Sequence, residues 1–130
     1  MNKNRSTFPK NERLAWKRHI DLLFQQGMSF VTFPLRVIYL PVDKDGSDTS
    51  ISILVSVSKK KIKLAVDRNY IKRRIRESYR LRKHELMHFY SGNNKKLLIA
   101  FLYLDNVNAS FEKIDRAMTK VIKTLQEKQE

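Results

Sequence analysis

The chain has no cysteine, three glycines and only 13 acidic residues against 27 basic ones in 130 positions. Without cysteine there can be no disulfide scaffold, no thiol nucleophile and no cysteine-ligated zinc, and a reducing compartment is permitted. Three glycines leave little room for a glycine-rich phosphate cradle. No apolar run approaches the roughly 18–20 residues of a membrane span. The longest, Leu97 to Leu104, has the length of a buried strand. The basic start, Met1 to Ser6, leads into no apolar signal segment, so a cytoplasmic location is the expectation, with no membrane partner. No nucleophile–base–acid set stands out among the side chains. His19, His84 and His88 are scattered. His84 and His88 have i,i+4 spacing but no HExxH-type glutamate and no third ligand, so neither a catalytic nor a metal site is assigned. Asp43 to Asp48 lacks the full pattern of a calcium loop and reads as a turn.

What is present is positive charge. A formal net charge of +14 and a pI near 10.2 attract polyanions, above all nucleic acid. With 42% apolar residues in periodic segments, the chain can bury a core, and its length suits one domain over residues 1–130. Residues 1–10 read as a loose basic arm and 126–130 as a frayed tail. Trp16, Ile20, Leu23 and Phe24 predict a helix over 14–26, stopped at Gly27 by a left-handed cap. Alternation predicts strands over 33–41 and 51–58, joined as an antiparallel hairpin across the polar loop at Gly46. A second helix is predicted over about 67–90 with Asp67 as N-cap, ending before Ser91 to Asn94. A doubly covered strand follows over 96–104, then a helix capped by Ser110 with Phe111, Ile114, Met118, Val121 and Leu125 as its apolar stripe. The order helix, strand, strand, helix, strand, helix describes an α+β fold.

The segment 59–83 holds nearly half the positive charge in one fifth of the length, opposed by Asp67 and Glu77. At about 100° per residue, Ile71, Ile75, Tyr79 and Leu86 share a core-facing sector. Lys72, Lys83, Arg76, Asn69, Arg80 and Arg73 follow in the adjoining sector as an unbroken stripe. Like charges at i,i+4 repel, and a merely soluble face mixes signs, so the stripe predicts an anionic partner. Arginine grips phosphate bidentately and stacks on bases, whereas lysine is a point charge; the mixture suits a folded RNA. Arg74 and Arg82 fall near the apolar sector and read as salt-bridged or snorkelling structural residues.

Val57-Ser58-Lys59-Lys60, followed by Ala65-Val66-Asp67-Arg68-Asn69-Tyr70-Ile71-Lys72-Arg73-Arg74-Ile75-Arg76-Glu77, resembles the signature of the bacterial ribonuclease P protein family. Ile20 to Gly27 is similar to that family's first helix and Pro34 to Tyr39 to its first strand, so the similarity spans about residues 13–105. Tyr70 departs from the pattern, standing where the family has a second arginine, and Ile20 stands where members carry an aromatic. The resemblance implies an α/β sandwich: a central mixed sheet of about four strands, three helices, and a left-handed crossover at the basic helix, against the usual hand. It implies an accessory subunit of an endoribonuclease in which a partner RNA, with Mg²⁺ held mainly by that RNA, removes the 5′ leader of precursor tRNA. No obligate protein partner is implied. Lys59, Lys60, Arg68, Asn69, Lys72, Arg73, Arg76 and Arg80 would bind the catalytic RNA. Phe24, Val37 and Tyr39 would take the leader in a cleft between the first helix and the sheet. The alternative class is a ribosomal or nucleoid nucleic-acid-binding protein, which charge alone fits equally well.

Overall fold

A computed structural model describes residues 10–43, 51–88, 95–106 and 109–129. Its elements are α1 (Lys10–Gln26), β1 (Met28–Thr32), β2 (Leu35–Asp43), β3 (Ile51–Val57), α2 (Ala65–Met87), β4 (Lys95–Tyr103) and α3 (Phe111–Gln129). Four strands form one mixed sheet in the order β1-β2-β4-β3, with three helices on its faces, as the α+β reading requires.

The sheet is organised by β4. Its residues 96–101 are all buried, because helices cover both of its faces. A strand that apolar belongs in the middle of a sheet. It lies between β2, paired antiparallel, and β3, paired parallel. This overturns the hairpin expected between the strands now seen as β2 and β3. Both have the anticipated alternation, but burying β4 on two sides outweighs the local connection. The hairpin that does form is β1–β2, turning through Phe33-Pro34, whose peptide bond is cis. The five-residue β1 was not anticipated. The connection from β3 to its parallel neighbour β4 runs through α2.

One sheet face carries Leu35, Val37, Tyr39, Val55, Val57, Leu97, Ile99, Phe101 and Tyr103. It packs under Ile71, Ile75, Tyr79 and Leu86 of α2 and under Ile114, Met118, Val121, Ile122 and Leu125 of α3. The other face is smaller: Leu23 of α1 closes on Ile38, Leu98 and Ala100, with Leu40, Val42, Leu54 and Leu102 half-buried around them. Gly27 ends α1 for a different reason from the left-handed cap expected. Its N–H donates to the Leu23 carbonyl at 2.8 Å, and a Cβ there would lie 2.3 Å from that oxygen and 2.7 Å from Ile38 Cγ2. Glycine is needed for close approach, not for left-handed backbone.

Several boundaries also move. Lys10, placed in the basic arm, is helical. Leu64, not Asp67, is the N-cap of α2, and its side chain makes no capping bond. Asp67 lies in the first turn, where a carboxylate favours the helix N-terminus. The tail expected to fray continues α3 to Gln129, and Gln126 Nε2 donates to the Glu85 carbonyl at 2.9 Å. Ser110 does cap α3, accepting the Lys113 N–H at 3.1 Å. The remainder of the basic arm, the turn after Asp43 and the turn at 91–94 lie outside the described residues.

Candidate nucleic-acid interface

The segment 58–64 delivers the chain into α2. Ser58 accepts the Lys60 N–H on its hydroxyl (3.1 Å) and the Ile62 N–H on its carbonyl (2.9 Å), which turns Ile62 into the core. Lys59 and Lys60 are left exposed at the turn. Arg68 Nη1 donates to the carbonyls of Ile62 and Lys63, each at 2.9 Å. Arg68 therefore clamps this loop to the first turn of α2, a structural task its sequence position did not reveal.

Along α2, Asn69, Arg73, Arg76 and Arg80 are exposed, and Lys72 and Lys83 are half-buried at the core-side border. From Asn69 to Lys83 the stripe runs about 21 Å at 1.5 Å per residue. Asn69, Arg73, Arg76, Glu77 and Arg80 line a shallow surface concavity. The stripe is not uniform in charge. Arg80 is held by Glu77 through Nε at 3.0 Å and Nη2 at 2.7 Å. That hydrogen-bonded pairing holds the Glu77 carboxyl below the usual range and raises Arg80. Among the described residues no carboxylate lies within ion-pair distance of Lys72, Arg73, Arg76 or Lys83. Uncompensated cations beside a concavity offer phosphate oxygens both charge and fork-shaped donors.

The two arginines set apart as structural take that role. Arg82 Nη2 donates to Asp115 Oδ2 across the α2–α3 interface, and Ser78 Oγ donates to Asp115 Oδ1 at 2.6 Å. Arg74 Nη1 donates to the Ala109 carbonyl at 2.7 Å while its guanidinium lies 4.2 Å from the centre of the Tyr70 ring. The buried serine and the arginine–tyrosine stack carried no signal in the helical wheel; Ser78 falls in its core sector, but a serine there looks incidental.

The leader residues do not come together as anticipated. Val37 (0% exposed) and Tyr39 (4%) point to the α2–α3 side, the latter donating from its hydroxyl to Met28 Sδ at 3.7 Å. Phe24 is on α1, across the sheet, and 47% exposed. The expected cleft fails because strand side chains alternate: the residues of β2 that face α1 are Arg36, Ile38, Leu40 and Val42. The α1-side face retains half-buried Leu40, Leu54 and Leu102, with exposed Arg36 opposite Leu102 in register. Among the described residues no three His, Asp or Glu side chains gather as metal ligands, and no helix is long and apolar enough to cross a membrane.

Comparison with known proteins identifies the arrangement. A family model described as Ribonuclease P matches residues 8–126. A ribonuclease P protein component of Porphyromonas gingivalis is 40% identical over 114 residues, covering 85% of this chain and 80% of its own. That of Chlorobaculum tepidum is 33% identical over 132 residues, covering 95% and 85%. The fold is shared with the RNase P protein of Thermotoga maritima (TM-score 0.63, 21% identity, 83% of this chain and 92% of that one). It is shared as well with that of Staphylococcus aureus (TM-score 0.58, 23% identity, 82% and 88%). The match over nearly the whole chain, with the basic signature along the outer face of α2, shows that this chain belongs to the ribonuclease P protein family and is a component of that endoribonuclease.

Proposed function

We propose that the chain holds the RNA of ribonuclease P along α2, and that this RNA cleaves the 5′ leader from precursor tRNA. The observation that carries the reading is the run of exposed Arg73 and Arg76 and half-buried Lys72 beside Asn69, none of them with a carboxylate partner among the described residues. Lys59 and Lys60 extend the cationic surface at the turn before the helix; Arg68 supports it by fixing that turn, and Arg80 contributes a charge partly offset by Glu77. Mg²⁺ held by RNA phosphates would supply the activated water for hydrolysis. The chain's own residues screen RNA–RNA repulsion and strengthen the hold on the substrate. The leader is assigned to the α1 side of the sheet, where Phe24 offers a stacking surface, Leu40, Leu54 and Leu102 an apolar floor, and Arg36 a charge. A single strand of varied sequence needs such platforms, not base-edge readout. The complex would act in the cytoplasm without an obligate protein partner.

Precursor tRNA incubated at low Mg²⁺ with protein, with its RNA, and with both tests this reading. Cleavage should need the RNA and be accelerated by the protein; cleavage by highly purified protein alone would overturn it.

A further inference from the structure

Two exposed aromatic rings among the described residues have a tethered cation over them, Phe33 under Lys113 and Tyr70 under Arg74, and Tyr70 is the one that lies on α2 beside the basic stripe. It lies on α2 one turn before Arg73 and Arg74, with its side chain 53% exposed. An exposed tyrosine on a helix is ordinarily free to sample rotamers. This one is biased toward a single placement, because the Arg74 guanidinium lies 4.2 Å from its ring centre, and Arg74 is itself anchored to the Ala109 carbonyl. One face of the ring is thus backed by a fixed cation, and the remaining half of the side chain is open to solvent. By the geometry of a helix, Tyr70 lies about 60° around the axis from Arg73 and beside Val66, which is also exposed. An aromatic face backed by a cation therefore adjoins Arg73 and Arg76, which have no carboxylate partner among the described residues.

That juxtaposition selects a ligand chemistry. A phosphodiester backbone following Asn69, Arg73 and Arg76 carries bases within reach of the neighbouring sector. An unpaired base stacks on an aromatic ring whatever its identity, and a guanidinium behind the ring adds a cation–π contribution. A base in a duplex has no free face to offer. We propose that Tyr70, positioned by Arg74, is a stacking platform for an unpaired nucleotide of the RNA that α2 binds. The proposal rests on the assignment of α2 as the RNA-binding surface and adds a non-electrostatic contact to it.

The test uses the full chain and the source organism's own ribonuclease P RNA, at fixed Mg²⁺ and several salt concentrations. Tyr70→Phe keeps the ring and should bind within about twofold of the parent. Tyr70→Leu keeps apolar bulk but not the π-face, and should bind about fivefold to a hundredfold more weakly. Its salt dependence should be unchanged, since no phosphate contact is lost. Chemical probing of the RNA should show one unpaired nucleotide protected by the parent and by Tyr70→Phe, and reactive with Tyr70→Leu. Thermal melts check that both variants fold like the parent. Parent-like affinity of Tyr70→Leu, or a loss that tracks a lowered melting temperature, would overturn the platform while leaving the α2 surface intact. If the unaltered chain fails to bind this RNA, the assignment of α2 fails and the platform with it.

Discussion

Replacing Arg73 and Arg76 together by alanine should change the salt dependence of RNA binding by an amount the structure allows one to work out. Neither guanidinium has a carboxylate partner among the described residues, so each is available for one phosphate. Each phosphate contact contributes about 0.7–0.9 to the slope of log K against log[salt], through release of condensed counterions. Losing two should flatten the slope by about 1.6. Between 50 and 200 mM salt, a fourfold change, the parent should therefore lose about ninefold more affinity than the double variant. Arg80→Ala is the internal comparison. Its charge is already shared with Glu77 at 2.7 Å, so it should flatten the slope by less than either exposed neighbour. Glu77→Gln should act oppositely, freeing Arg80 and steepening the slope. Filter binding at constant Mg²⁺ reads the parent, these three variants and the single Arg73→Ala. An unchanged slope in the double variant, or an effect of Arg80→Ala equal to that of Arg73→Ala, would refute the charge accounting.

Tyr39→Ala should cost about 3–5 kcal/mol of stability, since the ring is buried under α2 and α3, and should weaken all RNA binding together. Phe24→Ala should change the denaturation midpoint little and weaken leader-bearing precursor about fivefold to a hundredfold more than mature tRNA; equal losses would remove Phe24 from the leader surface. Asp115→Ala strands the fully buried Ser78 hydroxyl and the half-buried Arg82, and should cost about 2–4 kcal/mol in urea denaturation. A cost under about 0.5 kcal/mol would show the α2–α3 network to be incidental. Burial pushes the Tyr79 and Tyr103 hydroxyls up to about 12, against about 10 in the unfolded chain. Both shifts are upward, so their contribution is whole below about pH 10 and is lost as pH rises through about 12. Melting temperature should fall across that window, less steeply for Tyr79→Phe.

Much of the fold was legible because its strongest signals are global. The unbroken apolar run of β4 demands cover on two faces, and the core stripe of α2 is buried residue by residue. What escaped depends on which strands meet. Alternation tells that β2 and β3 have two faces, but not that β4 will lie between them, so the apparent hairpin was misassigned. The same gap misplaced the leader cleft. Val37 and Tyr39 share a face, yet nothing local says which helix covers it; only the packing of Leu23 on Ile38 places α1 opposite. The RNA-facing stripe was readable since it is a property of one helix. The roles of Arg68 and Arg74 were not, because their partners are backbone carbonyls of Ile62, Lys63 and Ala109, which no side-chain pattern marks.

The chain has no cysteine, so one introduced cysteine can carry a hydroxyl-radical source at a known place. Met87→Cys puts it on the exposed side of α2, in line with Asn69, and Lys123→Cys puts it on the exposed side of α3. Each labelled protein would be bound to the ribonuclease P RNA and the strand cuts mapped. The account predicts a focused set of cuts from the α2 position, abolished when Arg73 and Arg76 are alanine, and few or none from α3. Focused cuts from α3 with none from α2 would contradict the claim that the basic helix is the surface that holds the RNA.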